Sequence, residues 1–86
     1  MRTVTLKAEP LRIPVSEVKV GDVIYRRLHG ARYYRARVET VKRIVSTCPA
    51  LLNVELIQLS YAPEGSNVLA RAGFPINYQM PIPAKG

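Results

Sequence analysis

The chain has 86 residues, a formal net charge of +7 and a single Cys, with 48% hydrophobic and 22% charged residues. This length allows one small domain and excludes catalytic scaffolds of the large barrel or doubly wound kind. One Cys excludes an internal disulfide framework and a Cys-based zinc site, and it is typical of a reducing compartment. Because charge interrupts the first residues and no apolar run is long enough to span a membrane, we expect a cytoplasmic protein.

The positive charge is concentrated in the first half of the chain. Residues 1–43 carry 11 basic and 4 acidic residues, whereas residues 44–86 carry two of each. Six of the seven basic residues between positions 26 and 43 are Arg. Because guanidinium groups suit phosphates and carboxylates, this asymmetry favours an anionic partner. The alternative interpretation is a solvated basic face without a partner.

The first part of the chain has the alternation of short β-strands. Residues 3–8 and 23–28 are predicted strands, and the proline-flanked residues 10–14 are predicted to be an extended connector that cannot pair on both edges. Gly21-Asp22 marks a turn in which the Asp22 side chain accepts a local hydrogen bond. His29-Gly30 is the predicted tip of a hairpin, with positive φ at Gly30.

Residues 33–45 fit two interpretations. Four apolar or aromatic positions recur at helical spacing, namely Tyr34, Val38, Val41 and Val45. Many β-branched residues and the lack of a helix start signal favour a strand instead. In that strand Tyr34, Ala36 and Val38 face the core, and Val41 returns to the core after one extra residue, as in a bulge.

The second half of the chain continues the strand pattern. A Ser or Thr before Pro49 permits one short helical turn near residues 47–52. Predicted strands follow at residues 53–61, 68–72 and 74–80, with a Pro and Gly turn at 63–66. Residues 81–86 are expected to form an extended tail.

The spacing of these strands predicts an all-β, mainly antiparallel small barrel of five to six strands in a single domain, residues 1–80. The segments Val18-Lys19-Val20-Gly21-Asp22-Val23-Ile24, Arg37-Val38-Glu39-Thr40-Val41 and Val54-Glu55-Leu56 carry a resemblance. Over residues 15–60 the chain resembles SH3-like small β-barrels and, more narrowly, short uncharacterised barrel proteins of actinobacteria and their phages. The resemblance implies a fold and no particular activity, because such barrels serve nucleic-acid binding, peptide binding and scaffolding.

Candidates for catalysis are few. His29 is the only histidine and belongs to a predicted hairpin tip, where an imidazole would be solvated and unpositioned. Cys48 has no second Cys beside it and is expected to be a small buried hydrophobe. The chain carries no phosphate-binding loop, dinucleotide fingerprint, calcium loop or metal-spaced His/Cys pair. We therefore expect no enzymatic activity, no cofactor and no metal site.

The basic and aromatic stretch is the main functional candidate. On a strand, Tyr33, Arg35 and Arg37 share the face opposite to the core. Cations along a strand can follow a phosphate backbone, and an exposed ring can stack on an unpaired base, so we expect DNA or RNA as the partner. The predicted phosphate contacts are Arg26, Arg27, Arg32, Arg35, Arg37 and Arg43, with Tyr33 as the stacking ring. The alternative for Tyr33 is a ring packed flat under a neighbouring Arg stem.

A protein-interaction module is the second hypothesis. Leu51 and Leu52 lie in a predicted connection, and the 81–83 segment is extended and apolar, so either can dock on another protein or on a second copy of this chain. Leu51 and Leu52 would otherwise cap the open end of the barrel. A third possibility is a small phage-type effector whose arginines bind an acidic host protein.

Overall fold

The structure, a computed structural model, describes residues 3–46 and 54–84. Most of these residues lie in β-strands. The strands in these ranges are β1 (Thr3–Thr5), β2 (Leu11–Pro14), β3 (Val23–His29), β4 (Arg32–Val45), β5 (Glu55–Pro63), β6 (Ala70–Pro75) and β7 (Gln79–Ile82). A 3-10 turn, Val15–Glu17, follows β2. All strand pairs are antiparallel, so the predicted all-β fold is confirmed. The described chain has seven strands instead of five to six, because residues 10–14 also pair.

The long strand β4 organises the larger sheet. Residues 32–34 of β4 pair with both β1 and β3, so these two strands lie on opposite edges of β4. β5 pairs with residues 36–45 of β4, and β6 pairs with β5. This sheet curls into a half-barrel, and the separate two-stranded pair of β2 and β7 packs against it.

The structure decides between the two interpretations of residues 33–45 in favour of the strand. The register of β4 against β5 shifts between Val38 and Thr40, which is the predicted bulge. Beyond the bulge, Val41 lies opposite the buried Leu59 but is itself 36% exposed. Val41 therefore returns to the core side of the sheet without being buried there.

The two faces of the curled sheet differ in composition. The inner face carries the buried side chains of the core, which are Ile24, Ala36, Val38, Ile57, Leu59, Tyr61 and Phe74. Val15 and Val18 from the 3-10 turn and Met80 from β7 pack against that face. The outer face carries the side chains that point away from this core, including those of Tyr25, Tyr33, Arg35 and Arg37 by the pairing register.

The predicted turns are present. Gly21 has a φ of 93°, and the Asp22 carboxylate accepts a hydrogen bond of 2.9 Å from the Lys19 backbone N–H. Gly30, at the tip of the hairpin that joins β3 and β4, has a φ of 57°. Both glycines adopt the left-handed backbone region that other residues rarely enter.

The C-terminal boundary differs from the prediction. β7 continues through Pro81, which is buried, and Ile82, which packs against the core. The predicted tail over 81–86 therefore begins within a strand, because pairing with β2 extends the ordered chain. The predicted helical turn near residues 47–52, together with Cys48, Leu51 and Leu52, lies outside the described residues.

Candidate anion-binding surface

The hairpin of β3 and β4 distributes its arginines over both faces of the sheet. Arg35 and Arg37 lie on the outer face, as predicted, and Arg27, which pairs with Tyr33, lies there with them. Arg26 pairs with Tyr34, so its side chain points to the inner face instead. The predicted phosphate contacts therefore do not form one surface, because neighbouring strand residues point to opposite sides.

Three of the predicted arginines form ion pairs with glutamates. Arg37 lies 2.6 Å from Glu39, and the Arg35 Nε atom lies 2.9 Å from a Glu64 oxygen without hydrogen-bond alignment. Arg43 lies 2.7 Å from Glu55. Exposed pairs of this kind add little stability, but they reduce the positive charge that an approaching anion meets.

Tyr33 is buried, contrary to the expectation that its ring projects into solvent. Only 9% of its surface is exposed. Its ring centroid lies 5.8 Å from that of Tyr25, and Val4 of β1 pairs directly opposite it. Tyr33 also borders a cavity beside residues 6–12, but the small exposed fraction of its side chain is too little for a base to stack on.

A cavity of about 370 Å³ lies between residues 6–12 and the tip of the β3–β4 hairpin. Three of its lining residues are basic: Lys7, Arg12 and Arg27, called the tip cluster below. Arg27 Nε donates a hydrogen bond of 2.9 Å to the Gly30 carbonyl, which orients the guanidinium at the hairpin tip. Glu9, the one carboxylate in this lining, lies 3.4 Å from Arg12. The cavity lining therefore carries three positive charges and one negative charge.

The tip cluster was only partly predicted. Arg27 was among the predicted contacts, whereas Lys7 and Arg12 were not, because they belong to a different part of the sequence. Arg32, also predicted, lies at the same end of β4, where it donates a hydrogen bond of 3.5 Å to the Thr3 hydroxyl. The pairing of β1 with β4 and of β2 with β7 brings these segments together.

A second group surrounds Arg26 on the inner face. The guanidinium carbon of Arg26 lies 5.2 Å from the ring centroid of Tyr61 and 5.1 Å from that of Phe74. Burial raises the pKa of Tyr34 above its usual 10.0, the nearby Tyr61 adds to the rise, and Arg26 partly offsets it. Phe74 also contacts Tyr78, with ring centroids 5.0 Å apart.

Similarity to known proteins assigns no function to this surface. No family model, curated protein or solved structure matches the chain. Residues 3–46 and 54–84 contain no group of three His, Cys, Asp or Glu side chains that would hold a metal ion. Within the same ranges, no helix is long and apolar enough to cross a membrane.

The larger cavity, of about 610 Å³, is less selective for charge. It lies beside the 3-10 turn and the start of β3, where Glu17 and Asp22 line it together with Lys19 and Arg35. Because the two signs of charge are balanced there, this cavity favours neither anions nor cations. The tip cluster is therefore the better candidate for binding an anion.

Proposed function

We propose that this protein is a non-catalytic binding module that holds an anionic macromolecule, DNA or RNA, through the tip cluster. The observation that carries the proposal is the cavity in which Lys7, Arg12 and Arg27 converge. Lysine and arginine at the surface attract the phosphate backbone independently of its sequence. The net charge of +7 adds a long-range attraction to the same ligand.

The outer face extends this surface. Arg35 and Arg37 follow Arg27 along the same face of the hairpin, so a bound backbone can continue from the cavity onto them. Their pairing with Glu64 and Glu39 makes them weaker contacts than the tip cluster. With Tyr33 buried, the outer face lacks that ring as a stacking platform, so we expect backbone contacts and little sequence preference.

The test is fluorescence anisotropy with duplex DNA, single-stranded DNA and RNA at low and near-physiological salt. Lys7→Ala with Arg27→Ala removes two charges from the tip cluster. Lys42→Ala with Arg71→Ala is the matched control, since both side chains are exposed and lie further along the sheet. We expect the tip variant to lose more than tenfold in affinity at low salt and the control to lose much less.

Three results would contradict the proposal. Equal losses in the two variants would mean that only the net charge matters. Absence of binding by the wild-type protein at low salt would exclude nucleic acid. Capture of an acidic protein through the same cations, in place of nucleic acid, would favour the effector hypothesis.

A further inference from the structure

Arg26 is a cation held on the core side of the sheet. Its side chain is partly buried, and two aromatic rings lie close to its guanidinium group. The ion pairs found among the described residues involve Arg12, Arg35, Arg37 and Arg43 and do not include Arg26. A guanidinium has five N–H donors; the Tyr34 hydroxyl is one hydrogen-bond acceptor beside Arg26, and the two rings offer no strong acceptor.

An apolar side chain at position 26 would pack on the inner face at a lower desolvation cost than arginine. Withdrawing a charge from water costs free energy, and two cation–π contacts offset only part of that cost. Methionine at position 26 would fill a similar volume between Tyr61 and Phe74 without a charge to desolvate. An arginine whose neighbours are two rings and a neutral hydroxyl, with no carboxylate, is instead suited to bind an anion from outside the chain.

An exposed ring shares an aromatic neighbour, Phe74, with this cation. Tyr78 is 38% exposed, and it stacks on Phe74, the same ring that contacts Arg26. A phosphate at Arg26 would therefore place the attached nucleoside near an aromatic surface. Stacking of bases on such rings is the common means of holding unpaired nucleotides.

We infer that Arg26 and Tyr78 form a nucleotide subsite on the inner face, and that the ligand of this protein is a single strand. This inference rests on the proposed function and names its substrate class. Arg26 and Arg27 are consecutive in β3, and they project to opposite faces of the sheet. A stiff duplex that meets the tip cluster on one side cannot also reach Arg26, whereas a flexible single strand can pass around the hairpin. Arg26 binds the phosphate and Tyr78 stacks on the base.

The experiment compares Arg26→Met with Arg71→Met, which removes the same charge from the exposed outer face of β6. Affinities for a short oligothymidylate and for a duplex are measured by anisotropy over a salt series. We expect Arg26→Met to weaken the single strand about tenfold, as for loss of a charge-assisted hydrogen bond, and to reduce the salt slope by about 0.7. We expect duplex binding to fall no further than in Arg71→Met. Tyr78→Ala should weaken the single strand about tenfold, and Tyr78→Phe should not.

NMR of the wild-type protein makes the result independent of how the variants fold. On addition of oligothymidylate, the inference requires shifts of the Arg26 Nε–H and the Tyr78 ring resonances. If only resonances of the tip cluster move, the proposed function stands and the inner subsite is excluded. If no resonance moves, both are excluded. Equal losses for single strand and duplex in Arg26→Met would also overturn the inference.

Discussion

Removing the glutamates of the outer face should strengthen binding, because Glu39 and Glu64 neutralise the two arginines that follow the tip cluster. Glu39→Gln with Glu64→Gln keeps the side-chain shapes and raises the net charge from +7 to +9. The partners, Arg37 and Arg35, are then free to bind phosphates. Exposed ion pairs are worth about 0–1 kcal/mol each, so the fold should be retained.

The size of the effect follows from counterion release. Each additional phosphate contact on a single strand adds about 0.7 to the slope of log affinity against log salt, so two contacts add about 1.4. Lowering the salt fourfold should then raise the affinity of the variant by about sevenfold more than that of the wild type. The assay is anisotropy with oligothymidylate over the same salt series, with thermal unfolding of both proteins.

The control is Glu17→Gln with Glu55→Gln. It adds the same two charges but frees only Arg43, which lies far from the hairpin tip along β4. We expect a small gain in affinity and an unchanged slope. Equal slopes for the outer-face variant, the control and the wild type would refute the idea that the glutamates limit binding on this face.

Three further predictions concern stability and ionisation. Because the pKa of Tyr34 is raised in the folded state, the unfolded chain ionises first, so stability should fall as pH rises above about 10. Tyr34→Phe should reduce that loss in denaturant titrations. Leu59→Ala, at a fully buried position, should cost about 2–5 kcal/mol in urea unfolding, against about 0.5–1.5 kcal/mol for Ile57→Val; a Leu59→Ala cost below 1 kcal/mol would contradict the described core. Asp22→Ala removes the acceptor of the Lys19 N–H and should lower stability by about 1 kcal/mol, whereas Asp22→Asn should retain most of it.

Most strands and turns of the described chain were predictable because their signals are local. The predicted strands at 68–72 and 74–80 are an exception: β6 spans Ala70–Pro75, a turn follows at 76–77, and β7 begins at Gln79, because β6 pairs with β5 through Gly73. Alternation of Tyr34, Ala36 and Val38 placed one side of β4 in the core, and the structure confirms it. The extra residue before Val41 indicated the bulge. Gly30 indicated the hairpin tip because glycine readily adopts positive φ, and this preference does not depend on pairing with another strand.

The candidate site was predictable only in part. Sequence alternation correctly separated the face of Arg35 and Arg37 from the core, and Arg27 joins them. The same argument predicted an exposed Tyr33, but the ring of Tyr25 and residues 6–12 lie beside it and leave only 9% of it exposed. Alternation tells which way a side chain points, and it does not tell what lies there.

The sequence by itself therefore determined the strand class, the turns and the excess of arginine, each of which depends on neighbouring residues. Only the tertiary structure decided which cations are available to a ligand. Glu64 pairs with Arg35 from the turn that follows β5. Lys7 and Arg12 lie beside Arg27 because residues 6–12 run past the hairpin tip, and Arg26 contacts the rings of Tyr61 and Phe74 across the curled sheet. These are contacts between distant parts of the chain, and strand pairing and sheet curvature, which no local pattern encodes, bring them together.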